Sequence, residues 1–220
     1  MGAHIVRVLK TEFLIHNVKR FVVEKPAGYK FASGQATDVS INKPELKNES
    51  RPFSFTSVDQ SPELEFTIKI YTGHNGITEK LGQIDAGDEL ILHNVFGTIT
   101  YHGPGLFIAA GAGITPFITI LRQLKLDQHL EGNTLLFANR TSKDIILKEE
   151  LKEMLGENYL DIIEEQDHSS AKQFIDKELL KKYIKAGQYY YICGPDKFTE
   201  IMVKNLQDLG IDNSKIIIEQ

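Results

Sequence analysis

The sequence predicts two domains of different class in series, an antiparallel β-barrel over residues 1–103 and an α/β domain with a parallel sheet over residues 104–220. Three observations carry this. Up to about residue 104, short runs alternate apolar and polar residues, the period of strands with one buried face. After Gly103-Pro104-Gly105, short apolar runs alternate with longer stretches whose apolar residues recur near every 3.6 positions, the rhythm of βαβ units. The 220 residues, 41% of them hydrophobic, are long enough for two modest domains or one large one, each with a real core.

In the first half, HIVRVLKTEF, FLIHNVKRFVVEKP, QATDVSI, RPFSFTS, LEFTIKIYT and DELILHNV read as strands. Turn residues separate them: Pro26, Gly28, Gly34, the stretch from Asn42 to Pro44, Ser61-Pro62 and Gly87-Asp88. One brief helix is expected at ITEKLGQI. Short strands spaced in this way suggest an antiparallel barrel. In the second half the strands read LFIAAGAG, NTLLFANR, YLDIIEEQ, YYYICGP and KIIIEQ. Helices are expected between them at ITPFITILRQLKL, ILKEELKEML, DKELLKKYI and DKFTEIMVKNLQDL. Gly103 to Gly105 is the expected domain boundary.

Composition excludes several functions. A net charge of −5 offers no bulk positive field for nucleic acid or an anionic membrane. Cys193 is the only cysteine, so the chain holds no internal disulfide and no iron–sulfur cluster of several cysteines, which points to a cytosolic redox compartment. MGAHIVRVLKTEF has no continuous apolar core, and no later stretch is long enough to span a bilayer, so a cytoplasmic protein is expected. The histidines lack metal-ligand spacing, and His93, His102 and His168 read as surface or turn residues. Glu149-Glu150 and Glu164-Glu165 read as solvated faces.

Four short segments carry chemistry. GAGITPF, Gly111 to Phe117, follows an apolar strand and opens a helix, where free N–H groups and the positive end of the helix dipole suit an anion. Pro116 replaces the third glycine of the full dinucleotide fingerprint, so a generic glycine turn is the competing reading. Arg51-Pro52-Phe53-Ser54 places a cation, a ring and a hydroxyl within four residues, against an ordinary edge strand with a surface arginine. Gly76-Ile77-Thr78 starts the short helix with a hydroxyl, as an ordinary cap also would. Cys193-Gly194-Pro195-Asp196 ends a strand and opens a helix at the carboxyl edge of the parallel sheet, where α/β folds bind ligands, although a buried cysteine is usually packing.

RPFS, GIT, GAGITPF and CGPDKF, in this order over nearly the whole chain, resemble the ferredoxin-NADP reductase family, which includes bacterial flavodoxin reductases and the reductase halves of oxygenase systems and flavohaemoglobins. The resemblance implies an FAD-binding barrel and an NAD(P)-binding α/β domain. It implies that Arg51 pairs with the FAD pyrophosphate, that Pro52 and Phe53 line the flavin with Phe53 stacked on it, and that Ser54 bonds flavin N5. Ile68, Lys69 and Ile70 match the strand whose backbone edges the flavin, and Gly76, Ile77 and Thr78 match a second phosphate turn. Gly111, Gly113, Ile114, Thr115 and Pro116 match the pyrophosphate loop for NADPH or NADH, and Cys193, Gly194 and Pro195 the segment beside nicotinamide. Ser54 and Cys193 are thus the expected catalytic residues.

Many relatives end in an aromatic residue over the flavin, whereas this sequence reads KIIIEQ, which implies a more open flavin face. A separate electron carrier such as flavodoxin, ferredoxin or an oxygenase component is the expected partner. The alternatives are a reductase of a small molecule or free flavin, and a non-catalytic nucleotide-binding module. Coenzyme choice is expected after NTLLFANR, where Arg140, Thr141, Ser142 and Lys143 lean slightly to the 2′-phosphate of NADPH and Asp144 is the competing NADH residue.

Overall fold

The computed structural model describes residues 2–97, 99–165 and 173–219. The first sheet comprises β1 (His4–Ile15), β2 (Val18–Glu24), β3 (Ala36–Ile41), β4 (Arg51–Ser54), β5 (Glu63–Lys69) and β6 (Glu89–Phe96). They pair antiparallel in the order β4-β3-β6-β1-β2-β5. The sheet curls until its edges meet. Phe55, just past β4, bridges Phe66 of β5, and Thr56 N–H donates to the Glu65 carbonyl at 2.8 Å. Closure removes the free edges and encloses Val8, Phe21, Val39, Phe55, Phe66 and Leu92, none more than 1% exposed.

Two elements differ from the sequence reading. FLIHNVKRFVVEKP is not one strand: β1 runs on to Ile15, the chain turns at His16 and Asn17, and β2 leaves from Val18 paired to Ile15. Neither turn residue has positive φ, so the turn needs no glycine and gave no compositional signal. The helix expected through Ile84 is only α1 (Ile77–Leu81), ending at Gly82. Beyond it, the buried Lys19 ammonium donates to the carbonyls of Gly82 at 3.2 Å and Ile84 at 2.6 Å.

The second domain alternates β7 (Gly105–Ala110), α2 (Thr115–Leu126), β8 (Thr134–Asn139), α3 (Lys148–Leu155), β9 (Tyr159–Ile163), α4 (Lys177–Tyr183), β10 (Tyr189–Cys193), α5 (Asp196–Asp208) and β11 (Ile216–Ile218). Its strands are all parallel, in the order β11-β10-β7-β8-β9. Helices cover both faces. Phe107, Phe137 and Tyr191 point into one core with α2 and α3, while Leu106, Leu136 and Tyr190 point into the other with α4 and α5. Burial on both sides explains why these strands are continuous apolar runs. Strand order reverses between β7 and β10, which opens a crevice at their carboxyl ends. Ile99 and Tyr101 of the connecting segment already pack into the second core.

His93 corrects the expectation of a surface or turn residue: it is half-buried within β6, and its carbonyl accepts from the Tyr29 and Thr37 hydroxyls. His102 is exposed in the connecting segment. His168 lies outside the described residues. Glu150 also departs from its expected solvated face, because its carboxylate accepts from Arg122 Nε at 2.6 Å and Nη2 at 2.9 Å. No helix among the described residues is long and apolar enough to cross a membrane.

Candidate functional site

A cleft of ≈ 990 Å³ lies between the barrel and the mouth of the parallel sheet. On the α/β side, β7 ends in a single 3₁₀ turn, Gly111–Ile114, that runs directly into α2 with Pro116 in its first turn. Proline fits there because the N–H it lacks has no partner within the helix. Gly111 has φ +52° with open space before it. Gly113 is required for a different reason: a Cβ there would lie 2.3 Å from the Cys193 carbonyl oxygen and 2.6 Å from Gly194 N. The glycine turn and the end of β10 therefore meet backbone to backbone at the point where strand order reverses.

Cys193 is 6% exposed, and its thiol donates to Glu219 Oε2 at 3.6 Å. Burial, followed by the neighbouring Glu219 charge, pushes the thiol well above its ordinary range, so it is neutral at physiological pH. Asn139, at the end of β8, also lines the cleft. It is 4% exposed, and its buried Nδ2 and Oδ1 bond to no protein group among the described residues.

Past Asn139, the neighbouring strand brings acids to the rim. The Glu164 N–H donates to the Asn139 carbonyl at 3.0 Å and the Glu165 N–H to the Arg140 carbonyl at 2.8 Å. Arg140 Nε donates to Glu165 Oε1 at 2.8 Å. Glu164 and Glu165, expected on a solvated face, are exposed but line the cleft. Asp144 closes a capping box, accepting from Thr141 N at 2.9 Å and Thr141 Oγ1 at 2.7 Å. Its other oxygen lies 3.6 Å from His16 Nε2 on the barrel hairpin.

The barrel wall of the cleft comprises Pro52, Phe53 and Ser54 of β4, Thr67, Ile68 and Lys69 of β5, Thr78 of α1, and His16, Asn17 and Val18. Asn17 Oδ1 is buried without a protein partner among the described residues. Of the α/β residues picked from sequence, Gly111, Gly113, Thr115, Pro116, Arg140, Cys193, Gly194 and Pro195 line the cleft. Ile77 and Ile114 instead put their side chains into the cores, at 2% and 0% exposure. Ile70 lines an adjoining hollow with Phe13 and Tyr71. Arg51 and Gly76 are absent from the lining, and the exposed Arg51 guanidinium donates to the Ser50 carbonyl at 2.7 Å. Before α1, the Glu79 carboxylate ties the loop by accepting from Gly73 N at 3.1 Å and Asn75 N at 2.6 Å.

Sequence reasoning missed His16, Asn17, Thr67, Asn139, Glu164, Glu165 and Glu219. For Glu219 a signal was present, an acid in the stretch where only an aromatic residue was sought. For His16 and Asn17 none was. No group of three or more metal-ligating side chains occurs among the described residues.

Residues 107–204 match the oxidoreductase NAD-binding domain family. The chain is similar in structure to a ferredoxin NADP+ reductase from Neisseria gonorrhoeae with bound FAD and NADP, at a TM-score of 0.83 and 18% identity over 99% of this chain and 98% of that one. It is also similar to the FAD/NAD-binding domain of nitric oxide dioxygenase from Vibrio cholerae, at a TM-score of 0.81 and 21% identity over 97% and 96%. The chain shares the two-domain fold of these proteins. In sequence, the chain is 32% identical over 142 residues to the reductase component of propane 2-monooxygenase from Rhodococcus jostii, covering 61% of this chain and 37% of that protein. It is 27% identical over 230 residues to NADH–cytochrome b5 reductase 1 of Arabidopsis thaliana, covering 93% and 79%. The chain thus spans little more than a third of the first relative's length and about four fifths of the second's.

Proposed function

We propose that the chain is a flavin-dependent oxidoreductase that takes electrons from a reduced nicotinamide coenzyme onto FAD in the interdomain cleft and passes them to a separate carrier protein. One observation carries the reading: the Gly111–Ile114 turn meets Cys193 and Gly194 at the strand-order reversal, facing Phe53 and Ser54 across the cleft. The residues present fit both groups. Gly113 leaves a cradle that a Cβ would fill, Gly111 faces open space, and Asn139 holds an amide ready for a polar ligand. The barrel side offers an aromatic wall, hydroxyls and the unpartnered Asn17 oxygen.

FAD, when bound, supplies a centre that accepts two electrons at once and releases them singly. The protein supplies geometry. Phe53 would provide a flat apolar wall for the flavin, Ser54 would offer it a hydroxyl, and Arg51 with the Gly76–Thr78 turn would hold its pyrophosphate. Arg51 would exchange its Ser50 contact for the pyrophosphate in doing so. Cys193, a neutral thiol that donates toward Glu219, would act as a shaped, water-excluding contact beside nicotinamide.

The coenzyme is NADH by preference. Asp144, Glu164 and Glu165 outnumber Arg140 and Lys143 at the adenosine end, and Glu165 occupies Arg140, so a 2′-phosphate meets a net negative rim. The slight lean of the sequence toward NADPH rested on Arg140, Thr141, Ser142 and Lys143, and Arg140 is paired with Glu165. A separate acceptor protein is supported by the naming of the propane 2-monooxygenase relative as a reductase component. Steady-state assays with NADH and NADPH against ferricyanide, cytochrome and free flavin test the reading, and activity with free flavin alone would favour a small-molecule reductase.

A further inference from the structure

The barrel and the α/β domain are joined away from the cleft by a part-buried polar seam whose centre is Arg122 of α2. Its Nη1 donates to the Thr56 carbonyl and to Glu65 Oε1, both at 2.6 Å and both on the barrel. Its Nε and Nη2 grip the Glu150 carboxylate of α3 at 2.6 and 2.9 Å. The side chain is 19% exposed. One turn earlier, the fully buried Thr119 hydroxyl donates to the Ser57 carbonyl at 3.0 Å. Glu65 is itself fixed: its Oε1 also accepts from Thr56 Oγ1 at 2.8 Å, its N–H donates to Ser57 Oγ at 3.0 Å, and its Oε2 lies 3.8 Å from Arg20 of β2.

Each anchor is a short, rigid step from the cleft. Thr56 follows Phe53 and Ser54 on the same extended segment, and Glu65 precedes Thr67 and Ile68 on β5. Arg122 sits seven residues after Thr115 on α2, ~10 Å along the same helix. The strands carrying one wall and the helix carrying the other are therefore tied to each other by this guanidinium, beside the Thr119–Ser57 hydrogen bond, and its planar fork can hold two partners in fixed geometry.

We infer that Arg122 is a positioning residue that sets the gap between the flavin-side wall, Phe53 and Ser54, and the coenzyme-side wall, Gly111–Ile114 and Cys193. This rests on the proposed function for what crosses the gap, though not for the clamp itself. Misplacement by ~1 Å costs on the order of 100-fold in a step that needs near-attack contact, so partial loosening is expected to cost at least about tenfold.

The test uses Arg122→Met, with Arg122→Lys and the milder Glu65→Gln in case the first fails to fold. Residual dipolar couplings on the protein without cofactors report whether the domains align as one body. One alignment tensor is expected for wild type, two for Arg122→Met, and an intermediate result for Arg122→Lys. Stopped-flow reduction of the FAD-loaded protein at saturating coenzyme is expected to slow by about tenfold or more in Arg122→Met, with FAD and coenzyme affinities within about twofold of wild type and partial rescue in Arg122→Lys. A single tensor in Arg122→Met, or in Glu65→Gln should Arg122→Met not fold, overturns the clamp. A wild-type rate, or parallel losses of rate and affinity, overturns the positioning role. If wild type fails to oxidise NADH or NADPH, the proposed function fails while the dipolar couplings still decide the clamp.

Discussion

Replacing Gly113 by alanine tests the backbone contact on which the site is built. The added Cβ would lie 2.3 Å from the Cys193 carbonyl oxygen, 2.5 Å from its carbon and 2.6 Å from Gly194 N. All three are backbone atoms, so no side chain can rotate away. Restoring a carbon–oxygen contact of ~3.3 Å requires the two loops to part by ~1 Å. Overpacking of this kind costs ~1–3 kcal/mol, which lowers Tm by ~2–12 °C in a chain of this size. The same ~1 Å falls between the glycine turn and the strand end beside the proposed nicotinamide, so flavin reduction should slow by about two orders of magnitude. Thermal melts followed by stopped-flow reduction at saturating NADH measure both. Gly28→Ala is the control: its φ of +74° strains an alanine by ~1–2 kcal/mol in open space, outside the cleft lining, and should lower Tm without touching the rate. Gly113→Ala with wild-type Tm and rate would refute the close approach.

Ser54→Ala and Cys193→Ala should each slow flavin reduction more than they weaken FAD binding, as stopped-flow bleaching and equilibrium dialysis will separate; a wild-type rate removes that residue from its role. Arg51→Ala should weaken FAD binding by about ten- to a hundredfold, ~1.5–3 kcal/mol, and an unchanged Kd would leave Arg51 as the exposed side chain now bonded to Ser50. Glu165→Gln should raise kcat/KM for NADPH relative to NADH by roughly two- to fivefold, the size expected of an exposed ion pair, and no change in the ratio would show that Glu165 does not govern Arg140. Because burial raises the folded-state pKa of Cys193 above that of the unfolded thiol, the unfolded chain alone loses the proton above ~8.5, so stability should fall as pH rises past that point. Melts of Cys193→Ala between neutral and alkaline pH should show a shallower decline, and an equal slope would contradict the buried neutral thiol.

The features visible in the sequence are those set by local pattern. Alternation in QATDVSI and LEFTIKIYT marks strands with one face in water, and unbroken runs such as LFIAA and YYYIC mark strands covered on both faces. GAGITPF and CGPD were legible because glycine and proline sit where a strand becomes a helix. Relations between distant segments were hidden. The barrel closes through Phe55 and Phe66, which look like any other buried aromatics. Arg140 reads as a free cation until β9 is laid beside β8 and brings Glu165 to it. Arg122, one charge on an amphipathic helix, gives no hint that its partners are Thr56 and Glu65, more than fifty residues away on another domain. Asn139 closes an apolar strand, and only its burial without protein partners at the cleft wall singles it out.

The most direct test of the account is an anaerobic titration of the purified protein, reconstituted with FAD, by NADH and separately by NADPH, following the visible flavin absorbance. The account predicts one FAD per chain and stoichiometric bleaching by NADH at lower concentration and higher rate than by NADPH. A protein that retains no FAD, or whose bound flavin neither coenzyme reduces, would contradict it.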